Sequence, residues 1–150
     1  MDNMGKELLN SDKELLLKDL CARLPYGVKF ACNKNVYTAK GLDLIVTNEG
    51  DWEYAVTAKG ITPIEIDFIK PYLFPISSMT EEQKKEYDSE CNKDLKTLSE
   101  AVCNRTYTKT RISTPLYYGI DWLNANHFDY RGLIEKGLAI DATGLNIYEL

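Results

Sequence analysis

Histidine occurs once in these 150 residues, at position 127, and the four cysteines at 21, 32, 91 and 103 form no C-x-x-C pair. Zinc and related sites are assembled from ligands at short, recognisable spacing, so no metal site is expected. The nine glycines and five prolines fall in no nucleotide loop. There is no G-x-x-x-x-G-K-[ST] to cradle phosphates, no G-x-G-x-x-G for a dinucleotide and no H-E-x-x-H. No G-x-S-x-G presents a nucleophile. No cofactor is expected, and most common small enzymes are disfavoured.

Long apolar runs are missing too. None approaches the roughly 20 residues that span a bilayer, and MDNMGKELLNSDKE lacks the apolar segment of a signal peptide. The expectation is a reduced, cytoplasmic protein with no membrane partner, which makes the Asn104-Arg105-Thr106 sequon incidental. Positive charge is also in deficit: 18 basic against 23 acidic residues gives a net charge of −5. That balance disfavours broad phosphate-backbone binding and leaves room only for a local basic patch.

What is present suits a folded domain, with 44% hydrophobic and 27% charged residues. One domain over 1–150 is expected, with an N-terminal helix plus β module at about 11–78 and a helical part at about 79–150. Ser11-Asp12-Lys13-Glu14 has the pattern of a capping box. Behind it Leu16, Leu17, Leu20, Cys21 and Leu24 make one helical stripe, closed by Pro25. The period then changes to two. Val28 to Cys32, Val36 to Ala39, Leu42 to Val46, Glu53 to Ala58 and Ile64 to Phe68 read as short strands. Asn33-Lys34-Asn35 and Asn48-Glu49-Gly50-Asp51 are the turns, and Gly41 marks a bend or bulge. Such a series predicts a bent antiparallel sheet, with a small SH3-like barrel as one way of closing it.

Lys70 to Ser78 carries two prolines and reads as a connector lying over the sheet. Thr80-Glu81-Glu82-Gln83 is a second capping box, opening a long amphipathic helix with Tyr87, Cys91, Leu95, Leu98 and Val102 on one stripe. Thr106 to Ile112 alternates as a strand, and Thr114-Pro115 starts a short helix through Leu116, Ile120 and Leu123. Asp129 caps a further short helix, giving a C-terminal helical hairpin, and Leu138 to Ala142 is a closing strand. The fold class is therefore α+β.

Two stretches are rich enough for chemistry or recognition. DWLNANHFDYRG (121–132) gathers Trp122, Asn124, Asn126, His127, Asp129, Tyr130 and Arg131. For acid–base catalysis His127 needs a carboxylate on one nitrogen and a substrate on the other. The plainer reading makes Asp129 a cap, the aromatics packing, and Arg131 the partner of a nearby acid. That reading is preferred, with Trp122, His127, Asp129, Tyr130 and Arg131 kept as candidate binding residues and none as catalytic. The second stretch, Arg105 to Arg111, has no acid and places Tyr107, Lys109 and Arg111 on one strand face. There the cations could meet phosphates and the tyrosine a base, although three cations are a small footprint.

The phrases LLLKDLCARLPYGVKF, FIKPYLFPISSMTEEQ and IDWLNANHFDYRGLIEKGLAI resemble short proteins that recur in gut Bacteroides-type bacteria, many in prophages or other mobile elements. The resemblance runs from 14 to 142. It implies a cytoplasmic accessory protein of phage type and carries over no site residues. The first third also resembles small β modules that phage-type proteins place before a K-P-Y-L-x-P-x-S-S-M-T connector. Together these point to a non-enzymatic binding or adaptor protein whose partner is a protein. The alternatives are a nucleic-acid-associated protein using 105–111 and a small enzyme centred on His127.

Overall fold

The computed structural model describes residues 8–103 and 117–149. The chain enters as helix α1 (Asn10–Arg23), whose N-cap is Leu9 with no side-chain cap bond. The capping box expected at Ser11 and Glu14 is not used. The Lys13 N–H reaches back to the Leu9 carbonyl at 3.0 Å, which extends the helix and places Ser11 inside its first turn. The buried positions are Leu16, Asp19, Leu20 and Arg23, a single stripe by spacing. This stripe is rotated from the expected one, and Cys21 is exposed. Asp19 and Arg23 enter the core because they neutralise each other one turn apart, at 2.9 Å. A 3-10 turn (Leu24–Tyr26) follows, and Gly27 at φ +68° ends it in the left-handed region.

Among the described residues seven strands form one mixed sheet: β1 (Lys29–Cys32), β2 (Asn35–Val46), β3 (Trp52–Ala58), β4 (Ile64–Glu65), β5 (Lys70–Pro75), β6 (Phe128–Asp129) and β7 (Ile140–Asp141). The order is β4-β3-β2-β1-β5-β6, with β7 also paired to β5. Neighbours from β4 to β5 are antiparallel, while β6 and β7 run parallel to β5. Among the described residues the sheet is not closed, and no SH3-like barrel is formed. Its two ends are the two-residue strands β4 and β6. The period-two run behind β4 stops because Ile66–Phe68 turns into a 3-10 helix.

Asn33 and Lys34 join β1 to β2 with φ of +49° and +70°. Positive φ at both central residues is the type I′ geometry that matches strand twist. In β2 the register slips between Ala39 and Gly41, so Lys40 is the extra residue of a bulge. A Cβ on Gly41 would stand 3.2 Å from Thr57 Oγ1. The expected connector at 70–78 is in part a strand. Pro71 and Pro75 disguise it, but β5 bonds its later neighbours through the residues between them. Phe74 N–H donates to the His127 carbonyl, and the Leu73 carbonyl accepts from Ala142 N–H, both at 2.8 Å.

Helix α2 (Glu81–Cys103) opens with the expected capping box. Gln83 N–H donates to Thr80 Oγ1 at 3.1 Å, and Thr80 N–H donates to Gln83 Oε1 at 2.9 Å. Helix α3 (Tyr117–Ala125) packs against α2. The second helix of the expected C-terminal hairpin is absent, since turns occupy residues 133–137. Gly132 and Gly137, both at φ +74°, bracket a loop too short to propagate a helix. The strand expected at 106–112, the start at Thr114-Pro115 and the stripe side chains from Leu95 onward lie outside the described residues.

The main core joins Leu16 and Leu20 of α1 to Val28, Phe30, Val56, Ile66 and Leu73 of the β module and to Leu133 and Leu138 near the C-terminus. A second cluster sets Phe128 and Leu123 against Phe74, Tyr87 and Trp122.

Candidate functional site

The 121–132 stretch is a bracket between α1, α3 and β5. Helix α3 ends at Ala125, where Asn126 returns both its N–H and its Nδ2 to the Trp122 carbonyl. His127 then takes φ +63° and turns the chain into β6. Trp122 stacks on Phe128 at 5.6 Å and 9° and meets Tyr87 at 5.8 Å. Asp129 holds two backbone groups of the following loop, the N–H of Leu133 on Oδ1 and that of Ile134 on Oδ2, at 3.0 and 2.9 Å. The aspartate is a cap, although of a turn and not a helix.

Charge is concentrated beneath it. Asp19 and Arg23 are both fully buried. Arg23 Nε donates to Asp19 Oδ2, while its other nitrogens donate to the carbonyls of Leu123 and Phe128. Arg131 Nη1 donates to Asp19 Oδ1 at 3.0 Å and to Tyr130 Oη at 2.8 Å. Tyr130 Oη donates in turn to Asn124 Oδ1 at 2.8 Å. Both guanidinium groups lie over the Tyr130 ring, 5.4 Å away for Arg23 and 4.6 Å for Arg131. The carboxylate of Asp19 is therefore shared between two cations, and every group has a geometric task inside the fold.

His127 is buried, with its ring stacked 3.8 Å from that of Tyr148 at 11°. Its Nδ1 is enclosed with no hydrogen-bond partner among the described residues. Burial, together with the nearby cations Arg23 and Lys29, holds the imidazole pKa down to about 4. A neutral ring with no carboxylate on Nδ1 does not have the arrangement that a general base requires. The phenol of Tyr148 is equally passive. It accepts from Lys29 N–H and donates to the Tyr72 carbonyl at 2.7 Å, and burial pushes its pKa up to about 12.

A cavity of about 340 Å³ lies beside Ala31, Cys32, Lys34, Phe68 and Lys70. Burial raises the Cys32 thiol pKa, the opposite of what a reactive cysteine needs. Among the described residues no group of His, Cys, Asp and Glu side chains could hold a metal, and no helix is long and apolar enough to cross a membrane.

Among the described residues the largest run of exposed apolar side chains lies elsewhere, on the β2–β3 hairpin. Its cross-strand pairs Leu42–Val56, Leu44–Tyr54 and Val46–Trp52 share one face by alternation. Val56 is fully buried, yet further out Leu44 is 51% exposed, Tyr54 44%, Val46 54% and Trp52 70%. The core face of the hairpin simply continues past the core. β1 accompanies β2 only over Asn35–Thr38, and β4 accompanies β3 only over Ala55–Val56. Among the described residues the outer part is thus a two-stranded arm.

The chain matches no family model, no curated protein and no solved structure.

Of the residues nominated from the sequence, Trp122, His127, Asp129, Tyr130 and Arg131 come together in the bracket, whereas Tyr107, Lys109 and Arg111 lie outside the described residues. Leu44, Val46, Trp52 and Tyr54 were not nominated. Their signal was an alternation that stays apolar on the same face up to the turn, longer than one small core can cover.

Proposed function

We propose that this chain is a non-enzymatic binding module, an adaptor that engages a protein partner through the β2–β3 arm. The observation that carries this reading is the ladder of Leu44, Val46, Trp52 and Tyr54, four large apolar side chains held in a rigid register yet open to solvent. Soluble monomers rarely leave such a contiguous apolar patch without using it. The neutral, enclosed His127 and the high-pKa thiol of Cys32 favour binding over catalysis. The resemblance of the chain's three phrases to mobile-element proteins gives a setting, the bacterial cytoplasm during carriage of a phage or related element.

The test is comparative capture from a bacterial lysate, with proteins and nucleic acids both detected. The full chain should retain a defined protein that the Leu44→Ser/Trp52→Ser variant loses, the two chains having equal urea midpoints. Equal capture by both would overturn the reading. Retention of nucleic acid alone, unaffected by the arm, would also overturn it.

A further inference from the structure

We infer that the arm's partner is a cationic amphipathic helix, laid across the Leu44, Val46, Trp52 and Tyr54 ladder with Lys or Arg beside its apolar stripe. The inference rests on the binding-module reading and adds the chemistry of the occupant.

The edges of the arm argue against an added β-strand. Thr47 N–H donates to the Asp51 carbonyl at 2.8 Å where the loop closes. Alternation along an antiparallel pair then makes Leu44 and Tyr54 an opposed pair whose N–H groups turn outward. Neither N–H is left as a template. Leu44 N–H is held by Asp43 Oδ1 at 2.9 Å and Tyr54 N–H by Glu53 Oε1 at 3.3 Å. Acids at both edges cap this pair and interrupt the continuous pairing that an open strand invites. The apolar face carries no such obstruction.

That face has the width of a helix. Two strands about 4.8 Å apart, with their side chains, present a strip roughly 10 Å across, and an α-helix with side chains is about 10–12 Å in diameter.

The sign of the partner follows from the rim. From Gly41 to Ala58 the chain carries Asp43, Glu49, Asp51 and Glu53 and no lysine, arginine or histidine. Glu53 is engaged by Lys13 at 3.1 Å, while Asp43, Glu49 and Asp51 stand exposed around the ladder. Two copies meeting arm to arm would bring these acids together, and an anionic bilayer would be repelled by them. A helix with cations flanking its apolar stripe satisfies both the ladder and its rim.

The probe is a pair of synthetic helical peptides of about 18 residues, sharing one leucine stripe and flanked either by lysines or by glutamates. Binding is read by calorimetry and by the fluorescence of Trp52 in the full chain, with a Trp122→Phe background removing the second indole. The lysine peptide should bind at least about tenfold more tightly than the glutamate peptide. Leu44→Ser/Trp52→Ser should abolish the difference, and Asp43→Asn/Asp51→Asn should weaken lysine-peptide binding and flatten its salt dependence. Equal affinity for both peptides would overturn the inference, as would binding indifferent to Leu44 and Trp52. Trp52-dependent dimerisation in sedimentation, or equal uptake on anionic vesicles, would overturn it too. If lysate capture depends on the arm while the peptides are not distinguished, the helix inference falls and the binding-module reading stands. Loss of arm dependence in capture removes that reading itself.

Discussion

Asp19 and Arg131 meet at 3.0 Å across 112 residues of chain, and the same carboxylate holds Arg23. Removing the acid strands two cations, one of them fully buried. Asp19→Ala should therefore cost about 3–5 kcal/mol, enough to unfold many domains of this size. Arg131→Gln leaves the Asp19–Arg23 pair intact and should cost about 1–2 kcal/mol. Urea denaturation followed by circular dichroism measures both. A smaller loss for Asp19→Ala than for Arg131→Gln would contradict the shared-carboxylate geometry.

The lowered pKa of His127 fixes the sign of a pH effect. Between the ordinary value near 6.5 and about 4, the unfolded chain binds a proton that the folded chain refuses. Stability from this group is complete above about pH 6.5, falls as pH drops through that window, and changes no further below about pH 4. The full span is on the order of 3 kcal/mol. His127→Asn, which tolerates the left-handed backbone, should flatten this part of the profile in urea titrations from pH 7.5 to 4. An unchanged slope would refute the assignment.

Ser11 and Thr80 begin similar motifs, but only Thr80 forms the reciprocal bonds. Thr80→Ala should weaken the start of α2 by about 1 kcal/mol, seen as faster amide exchange at residues 83 and 84. Ser11→Ala should lie within about 0.5 kcal/mol of wild type by thermal melting.

Lys34 holds φ +70° in a turn whose preferred second residue is glycine. Lys34→Gly should stabilise the protein by roughly 0.5–1 kcal/mol, raising the urea midpoint without changing its slope.

Local rules made much of this structure legible. The turn at Asn33-Lys34-Asn35, the bend or bulge at Gly41 and the box at Thr80 each depend on a few adjacent residues, so they could be read in advance, whereas the type I′ geometry of the turn came from the backbone angles. Strand β5 could not, because Pro71 and Pro75 hide a segment whose hydrogen bonds go to residues 127 and 142. The rotation of α1 was hidden for the same reason. Asp19 and Arg23 read as surface charges until Arg131 and the carbonyls of Leu123 and Phe128 are in place. At the 121–132 stretch, the turn, the Asp129 cap and the acid partner of Arg131 were foreseeable as types. The identity of that acid was not. The arm was visible as strands but not as a surface, since exposure depends on where the core stops.

The long closure of the Asp19 network has a consequence for synthesis. A ribosome delivers Asp19 and Arg23 more than a hundred residues before Arg131 and the Phe128 carbonyl that complete their shell. Until then α1 has no finished seat, because its inward stripe carries charges that an apolar surface alone would reject. The β1–β2 and β2–β3 hairpins, by contrast, can pair as soon as they emerge. Helix α1 is thus made before the sheet it packs on and is among the last elements secured, and a chain truncated before residue 128 would leave it without its lock.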